Sequence, residues 1–280
     1  MQLSISDDFS LKKIANSGQC FRVKEFDDGT FRFITGNEVL YIKEISSHLF
    51  EISCSEKKWG KIWTPYFDLG RNYRRICNAI PVSDTYMRQA AHEGRGIRIL
   101  KQDPWEILIT FIISQRKSIP AIKNSVELLS SKYGDIIITP YEKLNAFPTV
   151  QQLADASDKD LSNCKLGYRV SYVKDAVAQV ESGNVDLSDI SFLSDSDLLN
   201  TLKTIRGVGN KVANCICLFA YGRINLAPID TWILKVISCE YNGKNPFPSY
   251  GQDAGIMQQY AFYYAQTNKK MFRNEENNYS

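Results

Sequence analysis

Between residues 20 and 53 apolar and polar positions alternate in short runs. They are Phe21, Val23 and Phe26; Phe31 and Phe33 after the turn Asp27-Asp28-Gly29-Thr30; Val39-Leu40-Tyr41-Ile42; and Leu49-Phe50-Glu51-Ile52. A period of two broken by turn residues predicts short antiparallel strands. From about residue 84 the spacing becomes helical. Its clearest start is Asp103-Pro104-Trp105-Glu106, with Asp103 as cap, Pro104 in the first helical position and Glu106 completing a capping box. The helix it opens carries Ile107, Leu108, Phe111 and Ile112, and amphipathic segments follow at about 119–132, 169–181, 195–202, 210–220, 231–240 and 252–266. The tail Asn274-Glu275-Glu276-Asn277-Asn278 reads as frayed and solvated. The expected class is α+β, with a β-rich unit over 1–93 followed by a mostly helical unit over 94–280.

A chain of 280 residues that is 44% hydrophobic and 23% charged can bury one large core or two smaller ones. No basic segment leads into an apolar one at the amino terminus, and no apolar run approaches membrane-spanning length, so a cytoplasmic protein without a membrane partner is expected. The seven cysteines (20, 54, 77, 164, 215, 217 and 239) form no Cys-x-x-Cys pair, which argues against zinc and iron–sulfur sites and for reduced thiols. A net charge of +3 does not announce a nucleic-acid partner by itself.

Such a partner has to be argued from a site. Leu198, Leu199, Leu202 and Ile205 lead into Arg206-Gly207-Val208-Gly209-Asn210-Lys211-Val212-Ala213, a helix, a glycine turn and a second helix. This is a helix–hairpin–helix. Gly207 and Gly209 let the chain turn sharply and approach a ligand closely, and the amides opening the second helix form a positive cradle for a phosphate of the DNA backbone. A plain corner whose glycines only permit tight packing would look the same. Lys211 opens an otherwise apolar helix, where a buried ammonium is costly. Asp230, before Trp232-Ile233-Leu234-Lys235-Val236-Ile237, is on its own an ideal N-cap.

Taken together, the hairpin, its lysine and the following aspartate resemble the helix–hairpin–helix DNA glycosylase superfamily, in which the lysine marks bifunctional glycosylase/lyases. The chain is most similar to the 8-oxoguanine DNA glycosylases of the Ogg type. Four stretches carry the resemblance over nearly the whole length: Ser17 to Arg22, Gly96 to Pro104, Gly207 to Cys217, and Ala254-Gly255-Ile256-Met257-Gln258 leading to Phe262. Cys239 alone follows the aspartate, unlike the cysteine loop of the iron–sulfur branches. Alkylated-base glycosylases usually lack the lysine.

The resemblance implies an antiparallel sheet packed against two helical lobes, here 103–206 and 94–102 plus 207–268, with duplex DNA containing 8-oxoguanine across the cleft. It implies base-excision repair by a monomer, in the nucleoid or nucleus, with no required cofactor. Lys211 would form a Schiff base with the sugar and Asp230 would stabilise the developing positive charge. The base is flipped into a pocket, where Cys215 and Phe262 would cover its faces, Gln258 would meet its Watson–Crick edge and the Gly18 carbonyl would read N7–H. The backbone carbonyls of Lys203, Ile205 and Val208 would hold a structural cation against a DNA phosphate.

Departures concern the opposite strand. Where animal and fungal relatives run Ser-Ser-Asn-Asn-Asn, this chain reads Ser114-Gln115-Arg116-Lys117-Ser118, and Ala121 stands where an arginine is expected. Arg169 matches the other arginine that contacts the estranged cytosine, Tyr168 the helix wedge, and Trp232 replaces a phosphate-binding histidine. The competing reading is a DNA-binding module without catalysis, which needs neither Asp230 nor a base pocket.

Overall fold

The computed structural model describes residues 1–272, so the tail at 274–278 lies outside the described residues. Strands β1 (Gln2–Ser4), β2 (Lys24–Glu25), β3 (Phe31–Thr35), β4 (Glu38–Ser46) and β5 (Leu49–Ile52) form an antiparallel sheet in the order β1-β5-β4-β3-β2. The β3–β4 register runs from Phe31 opposite Ile42 to Thr35 opposite Glu38, as the alternating runs require. β1 carries no such run, and its pairing with β5 makes it a strand.

At β3 neither face of the sheet is open to water. Phe31 through Ile34 are all buried, and a hairpin formed by Ile136–Ile138 and Lys143–Asn145 meets Arg32 of β3 and Tyr41 of β4 through its turn. Its turn residue Glu142 lies 3.0 Å from Arg32 Nη1 and accepts the Tyr41 hydroxyl at 3.2 Å. Short helices at Glu56–Lys58, Thr64–Tyr66 and Tyr73–Asn78 follow β5, the first and last capped by Ser55 and Asn72.

Phe33, Leu40, Ile42, Phe50 and Ile52 pack with Trp63, Tyr66, Phe67 and Leu100 in one core. A second, larger core fills the helical region and reaches back to Tyr73. The Thr85–Gly94 helix belongs to it, packing along the Ala254–Thr267 helix so closely that a Cβ on Gly94 would lie 2.6 Å from the Tyr260 ring. The other principal helices are Pro104–Ser114, Ile119–Tyr133, Val170–Glu181, Asp195–Lys203, Asn210–Phe219 and Thr231–Tyr241, within a few residues of the periodic segments.

One start signal needs correcting. Asp103 caps as expected, accepting the Glu106 amide at 2.8 Å. Glu106 does not return the bond; its side chain turns inward, 3.8 Å from Arg22. Burial there pushes its carboxyl up to about 7 against the pull of Arg22.

Candidate active site

The hairpin joins the Asp195–Lys203 and Asn210–Phe219 helices, and its two glycines do different things. Gly207 has φ +85, and a Cβ there would stand 2.5 Å from the Tyr172 ring, so the fold itself demands glycine. Gly209 is extended (φ −91, ψ −177) and nothing lies within 4 Å of a Cβ built on it. As the N-cap it brings no side chain to the first turn, which leaves the opening amides of the helix uncapped at an exposed edge.

Lys211 and Cys215, one turn apart, share a face of that helix. They look into a cavity of about 50 Å³ lined also by Gly18, Phe111, Phe219, Pro228, Asp230, Gln258, Gln259 and Phe262. Segments from the amino terminus, the hairpin, the Thr231–Tyr241 helix and the Ala254–Thr267 helix thus meet at one point. Lys211 Nζ stands 5.2 Å from the centroid of the Phe111 ring, which stacks on Phe219 at 5.5 Å. Burial raises the Cys215 thiol, against the nearby charge of Lys211.

Asp230 caps its helix, Oδ accepting the Ile233 amide at 2.8 Å. Burial raises its carboxyl above the usual range, while the Ile233 amide and the charge of Lys211 pull it back. The cap therefore fixes the rotamer of a carboxylate that shares the cavity with an amine.

Two residues that line the cavity carry an acceptor without a donor among the described residues. Gln258 is 4% exposed and its Oε1 has no partner. The other belongs to the Ser17-Gly18-Gln19 loop, where Gly18 has φ +76 and a Cβ would lie 2.9 Å from Phe262. The Ser17 carbonyl accepts Gln259 Nε2 at 2.5 Å and the Gln19 carbonyl accepts Gln102 Nε2 at 2.9 Å. The Gly18 carbonyl accepts nothing from the described residues.

A family model described as 8-oxoguanine DNA glycosylase, N-terminal domain, matches residues 2–108. The chain is 33% identical to the 8-oxoguanine glycosylase/lyase of Clostridium acetobutylicum, solved with double-stranded DNA containing cytosine opposite 8-oxoguanine. That likeness covers 96% of this chain and 98% of the other, with a TM-score of 0.88. The chain belongs to the 8-oxoguanine DNA glycosylase/lyase family.

Two curated relatives, both N-glycosylase/DNA lyases, are 30% identical (Saccharomyces cerevisiae) and 31% identical (Arabidopsis thaliana). The matches cover 52% and 55% of this chain and span 42% and 43% of those relatives' length.

The family's opposite-strand positions lie where the Pro104–Ser114 helix ends. Arg116 is exposed, in a left-handed conformation with φ +51. Arg169 is 6% exposed, and its guanidinium is engaged: Nε donates to the Gln115 carbonyl at 3.0 Å, Nη2 to the same oxygen, and Nη1 to the Leu166 carbonyl at 3.1 Å. Tyr168, 52% exposed, lies under that guanidinium at 4.3 Å. Trp232 is half-buried beside Lys235 Nζ at 5.5 Å and Lys269 Nζ at 5.9 Å, so two cations flank the histidine's replacement.

Sequence reasoning passed over Phe111, Phe219, Pro228 and Gln259. Phe111 sits on a helix whose residues 107–113 are all buried, so no pattern marks one face as a cavity wall. Gln259 had a signal: a second glutamine in the otherwise apolar stretch 254–261.

Proposed function

We propose that this chain is a bifunctional glycosylase/lyase that excises 8-oxoguanine from duplex DNA and then cleaves the strand by β-elimination. The observation that carries the reading is the single cavity shared by Lys211, Asp230, Cys215, Gln258, Phe262 and Gly18. A module that only gripped phosphates would have no use for it.

In the first step the Lys211 nitrogen attacks C1′ as the C1′–N9 bond breaks, and the bond pair leaves with the purine, which takes up a proton from solvent. Cleavage builds positive charge on the sugar, and Asp230 is the carboxylate there to stabilise it. The C1′–O4′ bond then opens, with the ring oxygen protonated, to give an iminium on Lys211. Loss of a C2′ proton expels the 3′ phosphate and breaks the strand.

The unpartnered Gln258 Oε1 suits the N–H donors of a guanine-type Watson–Crick edge. The free Gly18 carbonyl suits N7–H, a donor that 8-oxoguanine has and guanine lacks. Cys215 and Phe262 would cover the faces of the base.

Duplex DNA would lie along the hairpin, with Gly207, Gly209 and the uncapped amides at a phosphate, Trp232 beside a second, and Tyr168, Arg169 and Arg116 toward the opposite strand. The Lys203 and Val208 carbonyls take no hydrogen bond from a described residue, and Ile205 accepts the Val208 amide at 3.0 Å. That arrangement supports a cation held by these carbonyls and bridging to phosphate. A DNA complex with direct amide contacts and no ion would overturn it.

Borohydride trapping on a duplex with one 8-oxoguanine tests the central reading. A covalent adduct should form with the unaltered protein and be absent with Lys211→Gln, which should still bind. An adduct that persists in Lys211→Gln would remove Lys211 from the chemistry.

A further inference from the structure

We propose that Gln259 is a positioning residue that aims the Gly18 carbonyl at the base. This rests on the reading that Gly18 accepts N7–H. Gln258 and Gln259 are neighbours on the Ala254–Thr267 helix, so their side chains leave it about 100° apart. Both line the cavity, but they end differently. Gln258 Oε1 is left open, while the Gln259 amide is spent on the Ser17 carbonyl at 2.5 Å.

The Gly18 carbonyl belongs to the peptide plane between Gly18 and Gln19, and the Ser17 carbonyl to the plane before it. Only the φ and ψ of Gly18 relate the two planes, and a glycine at φ +76 has no Cβ to restrict them. The aim of the carbonyl must therefore come from clamps on both sides.

On the far side the clamp is dense. Gln19 is buried, its side chain donates to the Arg98 carbonyl at 2.8 Å and to Ser17 Oγ at 2.8 Å, and it accepts the Leu100 amide at 2.7 Å. Gln102 holds the Gln19 carbonyl at 2.9 Å. On the near side, Gln259 is the donor to the Ser17 carbonyl among the described residues. Gln259 is 2% exposed, so no water replaces its amide without rearrangement. Removing it leaves a buried carbonyl unpaired, and the plane that carries it turns to find a donor. Gly18 transmits that rotation to the carbonyl that meets N7.

The test compares two duplexes in a Lys211→Gln background, so that binding is read without excision. One holds 8-oxoguanine and the other 8-oxo-7-deazaguanine, whose C7–H offers no comparable donor. With Gln259 present, affinity should favour 8-oxoguanine by about tenfold or more. Gln259→Met, near in shape but without a donor, should bring that ratio close to one by weakening the 8-oxoguanine complex alone. Gln259→Glu gives a second readout. Its carboxyl can donate only when protonated, so its ratio should rise as the pH is lowered while the ratio for Gln259→Met stays flat. If both affinities fall together and the ratio is unchanged, Gln259 is structural and the proposal fails. If the protein with Gln259 intact does not distinguish the two duplexes, the Gly18 reading itself is what fails.

Discussion

The guanidinium of Arg169 is bound to the carbonyl oxygens of Gln115 and Leu166 and is 6% exposed. Those bonds hold the turn from Gln115 into Arg116, and an Arg169 that reached an estranged cytosine would have to do so from within them. Arg116, on a left-handed residue after that turn, is exposed.

Opposite-base selectivity should therefore depend on Arg116. A bidentate contact to a base is worth about 1–3 kcal/mol of discrimination, so Arg116→Ala should reduce the preference for cytosine over adenine by about tenfold in single-turnover excision. Arg169→Ala should lower thermal stability as well, because it strips donors from two carbonyls. If Arg116→Ala leaves the ratio intact and only weakens binding at all partners equally, Arg116 is a phosphate contact.

Asp230 separates charge from cap. Asparagine caps as well as aspartate, so Asp230→Asn should keep the melting temperature and lesion binding while excision slows by about 10²–10⁴-fold. Asp230→Ala should add a loss of about 1 kcal/mol of stability. Excision by Asp230→Asn at the normal rate would reduce the residue to its capping role.

The hairpin glycines should part company on mutation. Gly207→Ala forces an L residue to φ +85 against the Tyr172 ring and should cost about 1–3 kcal/mol in chemical denaturation. Gly209→Ala meets no atom within 4 Å and should leave folding intact, yet weaken duplex binding by about tenfold as the methyl group enters the space a phosphate would take. Equal effects of the two on stability would contradict this division.

Glu106 should make stability depend on pH. Its folded carboxyl is pushed up to about 7 from an ordinary 4.5, so the native chain holds a proton in that window that the unfolded chain has lost. Stability then falls as pH rises through the window, by up to about 3 kcal/mol, and is flat above it. Glu106→Gln should flatten the profile and be relatively most stabilising on the alkaline side, with Arg22 keeping Glu127 at 3.3 Å. Denaturation curves at several pH values that stay parallel for the two proteins would show that Glu106 is not the group responsible.

What could be read from sequence divides along physical lines. The helices of the second half announce themselves because their caps and apolar stripes are local. Ser194 accepts the Asp197 amide and Asp230 the Ile233 amide, each within one turn. The hairpin at 136–145 has the opposite pattern, with Ile136 57% and Ile138 82% exposed, so its role as a cover for Arg32 and Tyr41 left no trace in hydropathy. Cys215 could be placed beside Lys211 from helix geometry alone. Gly18 and Phe262 could be joined to them only through the family resemblance, since their contact spans almost the whole chain. The engagement of Arg169 was illegible, because its acceptors are backbone carbonyls and any residue supplies those.

The cavity of about 50 Å³ has room for a few waters, not for a two-ring base, and the Phe262 ring rests against Gly18. On the proposed reading, a purine would fit only after the Phe262 wall has moved aside. Its apparent affinity is the intrinsic affinity scaled by the fraction of molecules whose wall has moved aside. That factor would be the same for guanine and for its oxidised form, so it would add nothing to selectivity but would lower the occupancy of each. If the chain excises 8-oxoguanine as proposed, a wall that must move before a base enters would keep its search along duplex DNA from stalling at every sound guanine.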